Sequence, residues 1–394
     1  MHPRPSAPSP LRSLGALLAA LALLAFGAVT LGAGSARAAT GTPLRDEGLY
    51  PRAVRLEHNG AADGRILTSV VTFDAGDGVG TIQESTDDGA TFTEVGQVRA
   101  PDAAAGRGLC CSTLFELPQQ VGDLPEGTLL WSASIGQDSS PRRMAVEVFR
   151  SNDVGRTWQY LSTVATAAND LGLWEPELSV AADGQLVAHY SDETDGVHSQ
   201  KLVAARSADG VQWSGHHDTV ASGLGTDRPG MAVVRRLPSG TYVMTYEICT
   251  PGGQYSCVVH YRTSPDGWDW GDPAYLGIRP ETADGQYFRH TPTLAWSPLA
   301  GSPEGRLFLV GQELANADGS RAAGSGRTVW VNDAGGTGAW RAVNAPVAVD
   351  STELDFCPNY SSALLPSTDG TSLFEIATDW DGDVCRPYYA HGAV

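Results

Sequence analysis

The octapeptide STDDGATF at Ser85–Phe92 decides the fold, because closely similar turns recur along the chain. The segment SNDVGRTW at Ser151–Trp158 shares its form, Ser-x-Asp-x-Gly-x-Thr-aromatic. Looser copies occupy Ser207–Trp213 and Ser264–Trp270, and a degenerate copy occupies Asn332–Gly335. In such a turn the Asp side chain accepts hydrogen bonds from nearby amides, Gly adopts a left-handed conformation and the aromatic ring packs into the core. The motif therefore predicts the same tight turn in several similar units.

A second repeated feature is a polar turn with Gly followed by a β-type run. It occurs six times, about 55 to 65 residues apart, at Asp63–Leu67, Glu126–Leu130, Asp183–Val187, Ser239–Val243, Glu304–Phe308 and Asp369–Phe374. Another β-type run precedes each turn, so every unit opens with a hairpin, and the Asp motif belongs to a second hairpin. Two hairpins in each of six units predict an all-β fold, a six-bladed β-propeller with four antiparallel strands per blade.

The length and the net charge of the chain agree with one large acidic domain. The chain has 394 residues, of which 46 are Gly, and its formal net charge is −19. An all-β domain can reach this size as a single unit. The negative charge and the lack of a basic run predict no nucleic-acid partner. We expect a monomer.

The first 38 residues have the features of a secretory signal peptide. Arg4 and Arg12 precede an apolar stretch over residues 14–31, and Ala36-Arg37-Ala38 supplies a cleavage site. The alternative is a membrane anchor, since the stretch approaches the length that spans a bilayer. We expect cleavage, an extracellular protein with no membrane contact after processing, and one propeller domain over residues 39–394.

Export would allow the six cysteines to form disulfides. Cys249 and Cys257 bracket a short loop, and Cys357 with Cys385 could tie the last segment together. The adjacent Cys110 and Cys111 form either a vicinal disulfide or two free thiols. The sequence lacks the Cys and His spacings of zinc sites, and Asp379–Asp383 departs from the helix-loop-helix calcium pattern. We predict no metal and no cofactor.

The repeated turns resemble the Asp boxes of the sialidase superfamily. Two longer phrases are more specific. Trp174–Leu178, continuing to Tyr190–Glu193, resembles the third blade of the exo-α-L-arabinanases, and Arg228–Met231 through Tyr246–Glu247 resembles their fourth. The resemblance implies a retaining exo-glycosidase acting on arabinan, with Glu175 as acid/base and Glu247 as nucleophile.

Strand geometry gives an independent reason to choose these two glutamates. Glu175 precedes the first strand of its unit and Glu247 follows the second strand of the next, so antiparallel pairing brings both to one mouth of the central channel. Retaining hydrolysis needs two carboxyl groups about 5 to 5.5 Å apart. Strand alternation would place Glu177 on the same face as Glu175, which makes Glu177 a competing acid.

Other residues complete the predicted site. Tyr360 resembles the last-blade tyrosine that is the nucleophile of sialidases, and in an arabinanase-like site it would instead tune the glutamate nucleophile. The predicted substrate contacts lie at strand starts or in the matching phrases: Arg52, Trp174, Tyr190, Asp192, Arg228, Tyr246 and His290. An oligo- or polysaccharide is the expected partner.

Two alternatives stay open at this point. An exo-α-sialidase would use Tyr360 as nucleophile, Asp74 or Asp77 as acid, and three arginines around a carboxylate. The arginines available for that role are Arg52, Arg228, Arg262, Arg289 and Arg327. The second alternative is a carbohydrate-binding propeller without catalysis.

Overall fold

The computed structural model describes residues 39–252, 255–351 and 354–394. The predicted signal peptide lies outside these residues. Within the described part of the chain, no helix has the length and apolar character needed to cross a membrane.

Strands dominate the fold, and every ladder in the six sheets is antiparallel. Strand β1 (Thr42–Pro43) comes first. Sheet I contains β2 (Leu49–Arg55), β3 (Ile66–Asp74), β4 (Asp77–Ser85) and β5 (Thr93–Val98). Sheet II contains β6 (Leu109–Glu116), β7 (Leu129–Ile135), β8 (Ala145–Ser151) and β9 (Gln159–Thr166). Sheet III contains β10 (Leu173–Val180), β11 (Leu186–Asp192), β12 (Lys201–Ser207) and β13 (Ser214–Val220).

The remaining three sheets follow the same plan with one variation. Sheet IV contains β14 (Arg228–Arg236), β15 (Tyr242–Cys249), β16 (Val258–Ser264), β17 (Tyr287–Arg289) and β20 (Glu313–Ala315). Sheet V contains β18 (Thr293–Leu299), β19 (Ser302–Val310), β21 (Thr328–Asn332) and β22 (Arg341–Asn344). Sheet VI contains β23 (Ala363–Pro366), β24 (Ser372–Asp381) and β25 (Val384–Ala393), with β1 beside β25. Two short 3-10 helices cover Gly60–Ala62 and Pro101–Ala103.

The all-β prediction is confirmed, and five of the six sheets have the four strands expected. Sheet IV differs, because it has five strands. Two strands of three residues each, β17 and β20, replace the single fourth strand that was predicted. Only one residue pair, Val258 with Arg289, joins β16 to β17, since the chain between them follows a long irregular path.

The first strands of the sheets contact one another in sequence. Strand β2 contacts β6, β6 contacts β10, and the series continues through β14 and β18 to β23. Strand β23 contacts β2 in turn. Sheet VI combines β1 with the three last strands of the chain.

The predicted Asp turns are present in atomic detail. Ser85 Oγ accepts a hydrogen bond from the Gly89 amide at 2.8 Å, and Asp87 accepts one from the Thr91 hydroxyl at 2.6 Å. In the second motif, Ser151 Oγ accepts the equivalent hydrogen bond from the Gly155 amide at 3.0 Å. Gly89 has φ +84°, as the left-handed position requires. The hydrogen bonds from Thr91 lower the pKa of Asp87 to about 2.

Apolar side chains pack between neighbouring sheets. Trp131 on β7 is fully buried, and its indole nitrogen donates to Ser69 Oγ of sheet I at 2.9 Å. Its ring lies so close to Gly80 that a Cβ there would be 2.5 Å from it. Three disulfides join Cys110 to Cys111, Cys249 to Cys257 and Cys357 to Cys385. The adjacent cysteines therefore form a vicinal disulfide.

Candidate active site

The first strands of sheets I to IV each carry a β-bulge at an equivalent position. The register shifts between Leu49 and Arg52 in β2, Cys110 and Thr113 in β6, Trp174 and Glu177 in β10, and Gly230 and Val233 in β14. Each bulge contains one non-glycine residue with φ between +53° and +61°: Tyr50, Cys111, Glu175 and Met231. Such a backbone costs energy, and its repetition in four sheets makes these bulges the candidate for a functional site.

Sheets V and VI have irregular backbone at the same level. His290 and Thr291, just before β18, have φ +59° and +46°. Asn359 and Ser361, just before β23, have φ +54° and +55°. The Thr291 hydroxyl accepts a hydrogen bond from the Ser361 amide at 3.1 Å, which links the two segments.

Glu175 is held on three sides. Its amide donates to Ser134 Oγ at 3.0 Å. Its Oε2 accepts hydrogen bonds from the Ser191 hydroxyl at 2.9 Å and from the Met231 amide at 3.0 Å. Burial raises the pKa of the Glu175 carboxyl, and these two hydrogen bonds oppose that rise.

Glu247 reaches the same place from sheet IV. Its Oε2 accepts a hydrogen bond from the Thr291 amide at 2.7 Å. Burial and the negative charge of Glu175 raise the pKa of Glu247 to about 8. The two carboxyl groups are therefore close enough to interact electrostatically, and the raised pKa of Glu247 leaves the pair with a proton at neutral pH.

Gly230 lies between the two glutamates. It is the register partner of Glu247 on the neighbouring strand. A Cβ at Gly230 would lie 3.4 Å from Glu175 Oε2 and 2.4 Å from Gln200 Nε2. A residue larger than glycine would therefore require Gln200 to move.

Two tyrosines and an arginine stand beside the carboxyl pair. Burial, followed by the charges of Glu175 and Glu247, raises the pKa of Tyr360. The Tyr360 and Tyr50 ring centroids are 6.1 Å apart, and the Tyr50 hydroxyl lies 3.6 Å from Met231 Sδ. The Arg52 guanidinium lies 4.3 Å from the Tyr50 ring centroid and donates to the Ser361 carbonyl at 3.1 Å.

Arg228 and Trp174 belong to a network at the edge of the pair. Arg228 donates to Glu193, to Gln200 Oε1 at 2.6 Å and to Ser199 Oγ at 2.9 Å. The Trp174 side chain donates to Glu193 as well, which lowers the pKa of Glu193. The Arg228 charge opposes the rise in the pKa of Glu175 and of Glu247, which burial causes.

Glu177 does not share this environment. It accepts hydrogen bonds from Arg235 at 2.7 Å and from the Thr113 hydroxyl at 3.0 Å. The bulge between Trp174 and Glu177 breaks the strand alternation that would have placed Glu177 beside Glu175. The expectation of a shared face is therefore wrong.

Three predicted substrate contacts lie elsewhere. Tyr246 is fully buried, and its hydroxyl donates to the Leu276 carbonyl at 2.8 Å, so it is a core residue and the predicted sugar contact is wrong. Tyr190 shares a hydrogen bond of 3.0 Å with His216. Asp192 caps a turn by accepting from the Thr194 amide at 2.7 Å. Tyr190 and Asp192 line a separate pocket of about 470 Å³, away from the carboxyl pair.

His290 lies next to Glu247 and the Cys249–Cys257 disulfide. One ligand-type atom from each of these four residues falls within 4.8 Å of the others. The two sulfur atoms are bonded to each other, so they do not offer thiolate ligands. Burial lowers the pKa of His290, which keeps its imidazole neutral at the wall of the site.

Three of the five arginines considered for a sialidase are engaged in contacts away from the carboxyl pair. Arg262 donates to the backbone carbonyls of Thr219, Trp270 and Asp272. Arg327 pairs with Asp350, and Arg289 pairs with Glu313 at 3.3 Å. The two candidate acids are also engaged, since Asp74 pairs with Arg99 and Asp77 accepts from the Gly106 amide.

The sequence did not predict a role for several residues of the site. Tyr50, Gly230 and Met231 owe their positions to the bulges, which no periodicity in the sequence reveals. Ser134, Ser191 and Thr291 act through single hydrogen bonds from other strands. Glu193 was quoted in a matching phrase without a role, and its Arg228 contact gives it one.

Two solved structures are similar to this chain in both fold and sequence. The α-L-arabinanase of Penicillium chrysogenum, solved with arabinobiose, is 26% identical, with a TM-score of 0.72, over 91% of this chain and 98% of that one. The α-L-arabinofuranosidase of Fusarium graminearum, also solved with arabinobiose, is 25% identical, with a TM-score of 0.71 and the same coverage. The chain is similar in sequence and fold to these arabinan-type enzymes of the sialidase-like propeller group.

Sialidases are more distant from this arabinanase-like protein. A Streptococcus pneumoniae sialidase shares the fold at 11% identity, with a TM-score of 0.55 over 90% of this chain and 70% of that one. No protein-family model matches the sequence, and a search of curated proteins found no significant match.

Proposed function

We propose that this protein is a secreted, retaining exo-glycoside hydrolase that acts on arabinan. The observation that carries the proposal is the convergence of Glu175 and Glu247, two partly buried carboxyl groups from adjacent sheets that together hold a proton at neutral pH. Similarity to an arabinanase and an arabinofuranosidase, both solved with arabinobiose, supports arabinan as the substrate. The engaged arginines disfavour an acidic sugar.

The proposed reaction uses the pair in two steps. Glu175 donates its proton to the glycosidic oxygen, while a Glu247 carboxylate oxygen attacks the anomeric carbon and the leaving chain departs. A water molecule then attacks the arabinosyl ester, Glu175 takes its proton, and the free Glu247 carboxylate returns. Tyr360 stands beside both carboxyl groups and would orient the nucleophile.

The opposite assignment has one observation in its favour. Glu175 Oε2 accepts two hydrogen bonds and Glu247 Oε2 accepts one, which favours the anion on Glu175 in the empty site. Chemical rescue separates the two assignments. Azide should give a product of retained configuration with Glu175→Ala and of inverted configuration with Glu247→Ala. The reverse pattern would exchange the roles.

We further infer that the six sheets are the blades of one closed propeller. The ring of contacts from β2 through β23 back to β2 supports closure. Tyr50 of sheet I and Met231 of sheet IV are then on opposite sides of the channel, so their contact bridges it. A bridged channel is a blind pocket, which suits removal of sugars from a chain end.

The test of the function is an assay of the purified protein on linear arabinan and on a sialoside. We expect a short arabinose product and no sialic acid. Glu175→Gln and Glu247→Gln should each lower kcat by roughly a thousandfold or more. Glu47→Gln, at an exposed acidic residue, is the matched control and should keep full activity. Release of sialic acid, or full activity in both site variants, would contradict the proposal.

Export and oligomeric state form a separate proposal. We propose that residues 1–38 are removed on secretion and that the mature chain is a monomer without nucleic-acid partners. The full chain's net charge of −19, which becomes more negative when Arg4, Arg12 and Arg37 are removed, supports both statements. N-terminal sequencing of the secreted protein should begin at Ala39. Light scattering should give the mass of one chain, and a start at Met1 or a dimer mass would contradict the respective statement.

A further inference from the structure

The Cys110–Cys111 disulfide occupies the bulge of β6. Cys111 has φ +60°, and the register shift between Cys110 and Thr113 matches the shifts around Tyr50, Glu175 and Met231. In those three strands the bulged residue faces the site: Met231 contacts Tyr50 through its sulfur and Glu175 through its amide. The equivalent bulge therefore directs Cys111 toward the same channel.

The disulfide is also next to Glu175. Cys110 is the register partner of Ser134 on β7. Ser134 Oγ accepts the hydrogen bond from the Glu175 amide at 3.0 Å. Strand β6 packs directly on β10, which carries Glu175. The two sulfur atoms thus belong to the wall of the site on the side of Glu175.

A bracing role does not explain this disulfide. It joins adjacent residues, whereas Cys249–Cys257 and Cys357–Cys385 close loops with sequence separations of 8 and 28. In the chain-entropy account, a crosslink that closes no loop contributes little stability. Both Cys110 and Cys111 are partly exposed, unlike the buried Cys357 and Cys385.

We propose that the Cys110–Cys111 disulfide is a sugar-contacting wall of the active-site pocket. This inference rests on the proposed function. A disulfide presents a rigid, polarizable surface with little hydrogen-bonding capacity, which suits the C–H face of a pentose ring. The neighbouring bulges supply the carboxyl group of Glu175 and the phenol of Tyr50. The disulfide adds an apolar contact. This contact favours a sugar that carries no bulky polar group on the face turned toward the disulfide.

The test compares two paired cysteine variants on linear arabino-oligosaccharides. Cys110→Ala/Cys111→Ala should raise KM roughly tenfold, since removal of one small apolar contact has an effect of that order. Its Tm should stay close to that of the wild type, because no loop is opened. Cys357→Ala/Cys385→Ala is the control and should show the opposite pattern, a lower Tm with an unchanged KM. If alanine at the left-handed position prevents folding, Cys110→Ala/Cys111→Gly replaces it, since glycine accepts that backbone.

Three outcomes decide the proposal. A raised KM with an unchanged pH profile of kcat supports contact with the sugar. An unchanged KM in an active, folded variant overturns it. A shifted pH profile with unchanged KM also overturns it, because the disulfide would then act through Ser134 on Glu175. Absence of arabinan cleavage by the wild type would instead sink the proposed function, and is recognised before any cysteine variant is made.

Discussion

At the scale of single residues, the site depends on the few atoms between two glutamates. Gly230 is the register partner of Glu247, and a Cβ at Gly230 would touch Glu175 and overlap Gln200. Gln200 is itself fixed, since its amide donates to the Pro229 carbonyl at 3.0 Å and its oxygen accepts from Arg228. A methyl group at this position would therefore displace Gln200 and disturb its contacts with Arg228 and Pro229.

Gly230→Ala should lower kcat/KM by roughly a hundredfold, because displacing Gln200 disturbs Arg228 at the edge of the carboxyl pair, and misplacements of about an ångström have effects of that size. The measurement is steady-state kinetics beside a thermal melt. Gly223→Ala is the control, since a Cβ there meets no atom within 4 Å. Equal activity in both variants would show that the space at Gly230 is not required.

The pH dependence of activity follows from the proton held by the pair. The pKa of Glu247 is raised to about 8 by burial and by Glu175, so the proton is present below pH 8 and is lost above it. The proposed first step needs the pair to hold this one proton, with Glu175 carrying it while the Glu247 carboxylate attacks, so kcat/KM should fall as the pH rises through about 8. A profile of kcat/KM against pH measures this in the free enzyme. Activity that stays constant up to pH 10 would contradict the shared proton.

At the scale of elements, the turns were predictable and the bulges were not. The Asp turns depend on local hydrogen bonds among Ser, Asp, Gly and Thr, which a short motif specifies. A bulge depends on pairing with a strand elsewhere in the chain, so the sequence showed neither the new direction of Glu177 nor the approach of Tyr50 to Met231. Tyr246 was misplaced because a polar neighbour does not reveal that a ring is fully buried.

The turn at Ser151 should contribute measurably to stability. Ser151 Oγ is buried and accepts hydrogen bonds from the Asp153 and Gly155 amides. Ser151→Ala leaves these donors without that acceptor and should lower the free energy of unfolding by about 1–2 kcal/mol. Urea denaturation measures the change. Ser214→Ala, at an exposed strand residue, is the control, and equal midpoints for both variants would contradict the role of the turn.

At the scale of the whole molecule, the proposed propeller requires the ring of six sheets to close through sheet VI. Strand β1 pairs with β25 through Thr42 and Pro43, and Leu44 is buried between sheets, with its amide bonded to the Pro387 carbonyl at 2.8 Å. Sequence repeats predicted six similar sheets. They did not reveal that the strand closing the last sheet comes from the opposite end of the described chain.

Removal of β1 should destabilise the entire fold. A chain beginning at Glu47 should have a Tm several degrees below that of a chain beginning at Ala39, because β25 loses its partner and becomes a free edge. Differential scanning calorimetry compares the two chains. A single transition at an unchanged temperature would show that closure through β1 contributes nothing.

The central claim is that Glu247 attacks the anomeric carbon of an arabinosyl group while Glu175 supplies the proton. The most direct measurement traps the covalent intermediate with a fluorinated arabinoside bearing a good leaving group, followed by proteolysis and mass spectrometry of the labelled peptide. The account predicts one arabinosyl group on Glu247. A label on Tyr360 would indicate sialidase-like chemistry, a label on Glu175 would reverse the roles, and either result would contradict the account.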